Sequence, residues 1–325
     1  RSGQQGRLIT VTAITYNKKL YCLVQSETIF IVVFLRKLFS MRLLLILILL
    51  NLSCFAQQAE ECKWNYKIAA MERDAHVRLM NKGAQTVASN NFDVTYYRCE
   101  WDVDPAINHI GGTVTVYFRA STNAASITLD LTSFLQVDSV KQRNIHIPFS
   151  QPADAVQINF PSPVNSGTID SVSIYYQGAP ANTGFGSFIQ TTHNAIPVIW
   201  TLSEPYGARD WWPCKNGLDD KADSIDVYIT SPVAYKAASN GLLQSETPVD
   251  GGTKIKAHWK HRYPIATYLV CMAVTNYVVC NNSVQLGNTN LPMVTYCYPE
   301  YLNDFQSGTQ PVLDAQQLFN QYFGE

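Results

Sequence analysis

From residue 92 to about residue 298, hydrophobic and polar positions alternate with a period of two. Val114, Val116 and Phe118 alternate with Thr113, Thr115 and Tyr117, and Ile127, Leu129 and Leu131 alternate with Thr128 and Asp130. Val156, Ile158 and Phe160 repeat the pattern, as do Ile225, Val227 and Ile229. Successive side chains of a strand point to opposite faces, so this alternation predicts strands with one face buried and one wet. Turn signals separate them at Ile110-Gly111-Gly112, Pro161-Ser162-Pro163, Asn240-Gly241 and Asp250-Gly251-Gly252. Many short strands with few helices between them predict a mainly β fold, an antiparallel saddle-like sandwich, rather than a βαβ architecture.

The period changes on both sides of this region. Ile68, Ala69, Met71, Ala75 and Leu79 predict a helix over 62–82, with Lys82-Gly83 as its stop. Beyond residue 308, Val312, Ala315, Phe319, Tyr322 and Phe323 lie at helical spacing, with Thr309 as the expected N-cap and Pro311 in the first turn. A helix after a long all-β region reads as the start of a new domain, only begun by Glu325. Ahead of all this, Met41 opens an export signal. Arg42 supplies the positive start, Leu43 to Leu50 the apolar stretch, and Cys54-Phe55-Ala56 the cleavage region, an apolar run too short to span a bilayer. The alternative is a lipoprotein held through Cys54. The expected organisation is upstream read-through over 1–40, a signal peptide over 41–56, a helical segment over 57–91, a β domain over 92–298 and the start of another domain over 299–325.

Composition narrows the function classes. The net charge is −1 and only 15% of residues are charged, which leaves no basic footprint for nucleic acid. The mature chain is expected to have no transmembrane domain and to be periplasmic or extracellular. Cys62, Cys99, Cys214, Cys271, Cys280 and Cys297 would then meet an oxidising compartment, which permits disulfides without choosing among fifteen pairings. None of them forms a C-x-x-C pair, against a zinc ribbon.

One segment carries a specific signal: Thr201-Leu202-Ser203-Glu204-Pro205-Tyr206-Gly207-Ala208-Arg209-Asp210-Trp211-Trp212-Pro213-Cys214. It resembles the E-P-x-x-A-R stretch, succeeded by an aromatic spacer and P-C, of the aminopeptidase N family of zinc metallopeptidases. Asp223 to Pro232 resembles the family's strand after the motif, and Tyr263 to Ala273 a late strand of the same domain. The final helix resembles the start of the family's thermolysin-like domain, so the likeness covers roughly 92–325. It implies a zinc metallo-aminopeptidase acting on peptide substrates with a free N-terminus. It places Glu204 on the glutamate that binds the substrate's α-amino group, and it makes Pro205, Ala208, Arg209, Pro213 and Cys214 structural parts of the motif. A carboxylate is the natural charge-assisted partner of an ammonium, and it fixes register so that only the first peptide bond reaches the metal. The plainer reading of Glu204 is a strand-end acid, capping or paired with Arg209.

The family's zinc motif is H-E-x-x-H on a helix, and no histidine here is followed by Glu. His258 and His261 lie close in sequence, but Lys256 to His261 reads as a strand, on which positions three apart face opposite sides. The expectation is therefore that this chain holds neither the catalytic residues nor the metal, that zinc belongs to sequence beyond Glu325, and that the fragment alone is inactive. The competing class is a secreted β-sandwich binding or scaffold module, in which Trp200, Trp211, Trp212 and Trp259 would form a carbohydrate platform instead of packing the core.

Overall fold

The computed structural model describes Ala69, Ala70, Arg73 and residues 86–180 and 187–324. The export signal and most of the helix expected over 62–82 lie outside the described residues. The chain divides into Arg1–Met71 and Glu72–Glu325, and the sheets belong to the second unit.

Among the described residues, nineteen strands run in chain order: β1 (Phe92–Val103), β2 (Ile110–Ala120), β3 (Ala124–Asp130), β4 (Leu135–Gln142), β5 (Ile145–His146), β6 (Phe149–Ser150), β7 (Ala155–Val164), β8 (Ile169–Gly178), β9 (Phe188–His193), β10 (Ile196–Thr201), β11 (Lys221–Ala222), β12 (Ser224–Pro232), β13 (Lys236–Ser239), β14 (Leu242–Val249), β15 (Lys254–His261), β16 (Ile265–Ala266), β17 (Met272–Thr275), β18 (Val278–Leu286) and β19 (Thr289–Cys297). Eight form one sheet in the order β14-β15-β12-β1-β2-β8-β4-β5. A three-stranded sheet (β3-β7-β6), a four-stranded sheet (β13-β17-β10-β9) and the hairpin β18-β19 accompany it. The fold is mainly β and antiparallel, as the alternation predicts. One pairing departs from it: β1 runs parallel to β12, with Cys99 opposite Val227.

The core follows from the strand period. On β1, Phe92 and Val94 are buried, then Tyr97, Cys99, Trp101 and Val103. The phase slips by one because Thr95 is an extra residue, a bulge between the pairs Val94–Phe118 and Tyr96–Tyr117. On β2, Val114, Val116, Phe118 and Ala120 point inward with their neighbours outward. Gly112 is required where β2 pairs closely with β1 opposite Trp101, because a Cβ there would lie 2.2 Å from the Glu100 carbonyl oxygen. The ring of Phe160 on β7 stacks on Phe118 at 5.9 Å, which seats the small sheet on the large one.

The terminal helix α1 spans Leu302–Phe323, longer than its sequence pattern predicts. It is entered through a 3-10 turn at Pro299–Tyr301, where a missing proline N–H costs nothing. Thr309 is therefore not an N-cap; it lies inside the helix and its hydroxyl donates to the Phe305 carbonyl at 2.7 Å. Pro311 lies in the interior too, where it removes one i→i−4 bond. The helix packs against β18 and β19 and has no fully buried residue.

Two charged clusters generate predictions. Buried Lys215 donates to Asp220 at 2.6 Å and to the Phe92 carbonyl at 2.8 Å, tying the loop after Cys214 to the start of β1. Removing one member of a buried pair leaves the other uncompensated, so Lys215→Met is expected to cost about 3–5 kcal/mol, measured by denaturant unfolding. Asp226 on β12 accepts from Tyr96 and Arg262, each at 2.6 Å, and meets His258 Nε2 at 2.6 Å. Burial alone would raise its carboxyl pKa, but these bonds outweigh it and hold it below the usual range. A depressed carboxylate stabilises the fold above its unfolded pKa, and that contribution disappears as pH falls through the folded value. Asp226→Asn is expected to flatten the acid limb of stability between about pH 4 and lower values, read from unfolding midpoints across pH.

Candidate functional site

The motif that begins at Glu204 leaves the end of β10, turns sharply and then dives into the core. Leu202 N–H donates to the Ser187 carbonyl and Gly207 N–H to the Ser203 carbonyl, at 3.1 and 2.8 Å. The Glu204–Pro205 peptide is cis. Gly207 passes so close to β9 that a Cβ would sit 2.4 Å from Ser187 Oγ. A 3-10 turn over Ala208–Asp210 comes next, and Trp211 and Trp212 N–H both donate to the Ala208 carbonyl at 3.2 Å.

Trp211 and Trp212 are fully buried, and their rings lie 4.7 and 6.1 Å from that of Trp101 on β1. Trp212 also meets Tyr97 edge-on at 5.0 Å. Edge and tilted contacts of this kind are favoured aromatic geometries, and buried rings carry much of a core's apolar burial. Trp211 Nε1 donates to Ser203 Oγ at 2.9 Å, so the core tryptophan grips the residue next to Glu204. Trp259 is buried as well and Trp200 is half-buried. The tryptophans considered for a carbohydrate platform are thus packing residues, three of them buried.

Behind the turn stands a set of hydrogen bonds that the sequence pattern did not single out. Asp130 and Cys214 exchange backbone bonds, at 2.8 and 3.1 Å, as an isolated bridge. The Asp130 carboxylate accepts from Thr86 Oγ1 and Val87 N, each at 2.6 Å, and from Asn216 N at 3.0 Å. Strand alternation predicts Asp130 on the wet face, yet it is fully buried. Three charge-assisted bonds compensate its desolvation. Asn216 in turn donates to the Tyr206 carbonyl at 2.8 Å, and its Oδ1 accepts from Arg209 N at 3.4 Å. Ser187 Oγ donates to Asp210 Oδ2 at 2.7 Å. The only hint in the sequence is the nearness of Asn216 to the P-C pair.

Within this frame Ala208, Arg209, Pro213 and Cys214 are buried and Pro205 is half-buried. Glu204 is exposed. It makes no ion pair with Arg209, and among the described residues no salt bridge reaches it. Its charge reaches the Cys271 thiol, which burial pushes up first, a hydrogen bond with Asn240 lowers in part, and Glu204 pushes up further. Cys214 is pushed up strongly by burial, then by Asp130 and Cys99, which suits an inert packed thiol. The five cysteines of the described residues are unpaired, and Cys62 lies outside them.

The described residues do not fit a zinc site: no three His, Cys, Asp or Glu side chains gather. His258 faces Asp226, while His261 lies against Tyr263 at 5.9 Å between ring centres. No described helix is long and apolar enough to cross a membrane.

The sequence profile of the peptidase M1 N-terminal domain matches residues 93–269, more than half of the chain. Comparison with curated protein sequences returns no match. Among solved structures, a mutant two-domain M1 zinc metallopeptidase bound to L-tryptophan superposes with a TM-score of 0.65 at 22% identity, over 73% of this chain and 55% of that one. The M1 zinc metallopeptidase of Deinococcus radiodurans gives 0.63 at 22% identity, over 73% and 54%. A mutant of the Deinococcus radiodurans enzyme bound to a Tyr-Ser-Ala substrate gives 0.62 at 22%, over 73% and 55%. The present chain spans about half the length of these structures. The likeness to them is one of fold, and the profile match extends from the second residue of β1 through the E-P-x-x-A-R segment to Leu269. This chain belongs to the family of peptidase M1 N-terminal domains.

Proposed function

We propose that this chain is the amino-terminal part of an exported zinc metallo-aminopeptidase, in which Glu204 binds the protonated α-amino group of a peptide substrate. The observation that carries the reading is the contrast between Glu204 and its surroundings. Ser203, Asp210 and Asn216 around the turn face inward and are bonded, whereas the Glu204 carboxylate stands exposed and unneutralised on a backbone fixed from both sides. Such a carboxylate accepts hydrogen bonds from an ammonium without giving up an existing ion-pair partner. It thereby sets how far the substrate enters, so that the first peptide bond is presented for cleavage. Two of the similar M1 structures carry an amino acid or a short peptide, in keeping with a ligand of this class.

Zinc, its ligands, the general base and the tyrosine that stabilises the transition state belong, in this reading, to sequence beyond Glu325. Zinc supplies Lewis-acid activation of water in such an enzyme; the contribution of this chain is recognition. The β domain over 92–298 carries the anchor, and the segment over 299–325 leads into the catalytic domain. Export follows from the Met41 to Ala56 segment, and the tryptophan burial counts against the alternative of a carbohydrate-binding module.

In the full-length enzyme, Glu204→Gln removes the charge but keeps the shape. Loss of a charge-assisted contact worth about 1.5–3 kcal/mol lowers kcat/KM roughly ten- to a hundredfold with the fold unchanged. An unaltered kcat/KM on aminoacyl substrates would retire the anchor role. The present 325-residue chain, purified alone, is expected to retain less than stoichiometric zinc by elemental analysis and to release no product from aminoacyl substrates; activity with one bound zinc would overturn the division of labour.

A further inference from the structure

A cavity of about 380 Å³ opens between the β4–β5 hairpin of the large sheet and the end of β7 that turns into β8. The hairpin is joined by Arg143 and Asn144, both with positive φ, 49° and 66°. Two-residue hairpins favour that backbone, and asparagine or glycine accommodates it. Arginine has no short polar group to ease the left-handed region, so its presence there carries a conformational cost. What Arg143 supplies is a guanidinium at the cavity. Its Nη2 donates to Asp170 Oδ2 at 2.9 Å, and the Asp170 side chain is only 4% exposed. The same carboxylate accepts from Gln142 Nε2 at 2.9 Å and from Ser171 N–H at 2.8 Å. Asp170 is thus provided for within the protein. Arg143, by contrast, is 70% exposed and keeps the rest of its donor fork open.

We propose that this cavity binds a small carboxylate carrying an apolar group, with Arg143 receiving the carboxylate and Asp170 holding the guanidinium in place. An arginine fork matches a carboxylate with paired hydrogen bonds. A fork already anchored at one end loses less freedom when the ligand arrives. Ile145, Ile147, Pro161 and Pro163 supply apolar walls for the rest of the ligand. The volume lies at the small end of ligand sites, enough for a capped amino acid. Two sources share this chemistry, a free apolar amino acid and the carboxyl end of a short peptide. The site uses no residue of the 201–214 segment, so it stands apart from the amine-anchor reading.

N-acetyl-leucine tests the site on this chain, because it has the carboxylate and the apolar group but no ammonium for Glu204. In a saturation-transfer NMR titration it is expected to saturate with a Kd of about 1 mM, the level of a small ligand held by one charged contact. N-acetyl-leucinamide, which lacks the charge, is expected to bind about tenfold more weakly or worse. Arg143→Gly suits the positive φ and removes the guanidinium. Ile145→Glu, at a side chain 69% exposed, leaves the fold and sets a like charge at the wall. Each is expected to weaken N-acetyl-leucine binding about tenfold with an unchanged circular dichroism spectrum. Equal binding of acid and amide, no saturation by about 10 mM, or wild-type binding by folded Ile145→Glu overturns the site. Leucine, titrated on the Glu204→Gln chain so that no amine anchor competes, separates the sources. Binding as tight as that of N-acetyl-leucine assigns the site to free amino acids, and weaker binding assigns it to peptide ends.

Discussion

The fold depends on one crossing, where the chain after Glu204 passes through the core and bridges Asp130. Trp211 and Trp212 enter the space beneath β1, and the backbone pair between Asp130 and Cys214 locks them there. The three-stranded sheet, the eight-stranded sheet and the turn bearing Glu204 all meet at this point. A buried carboxylate with three donors, two packed indoles and an asparagine that bonds back to Tyr206 make the crossing rigid. The cost of burying Asp130 is accepted because its charge satisfies N–H groups that would otherwise be orphaned where two irregular segments touch.

That rigidity gives the exposed carboxylate its meaning. A side chain on a loose loop must be ordered when ligand binds, and the ordering reduces affinity. Here the backbone on either side of Glu204 is already held, by Trp211 acting on Ser203 and by Asn216 acting on Tyr206. In the proposed amine-binding role, little rearrangement beyond the carboxylate itself would be needed. The neighbouring Cys271 belongs to a segment similarly fixed, since Asn240 accepts from its N–H at 2.8 Å.

Much of this was legible in the sequence, and the exceptions have physical causes. Alternation in β2 and β7 was plain because one face of each is buried, whereas β12 alternates in sequence but also buries the polar residues Asp226, Thr230 and Ser231. The phase slip at Thr95 was not, since a bulge changes no composition. The turn at Glu204 and the buried P-C pair were singled out through the family resemblance, and the structure places the first exposed and the second in the core. Asp130, Ser187 and Asn216, which hold them, were not, because a buried polar residue looks in sequence like any wet one. The terminal helix was found but started too late: Thr309 and Pro311 mimic a helix opening, whereas contact with the β18–β19 hairpin extends the helix back to Leu302. The parallel pairing of β1 with β12 has no local sequence signature, since it joins segments far apart in the chain.

That last pairing sets the order in which the domain can be built. β1 is the first of the described strands and pairs with β2 at once, but its other edge stays open until β12 is made, with the Glu204 turn, the three-stranded sheet and the β9–β10 hairpin lying between them. Closing so long a loop is entropically expensive and comes before its contacts repay it, which makes such topologies slow to fold. During synthesis, a chain halted just after the P-C pair would expose the unpaired edge of β1 beside two tryptophans without their roof, a sticky species in need of a chaperone.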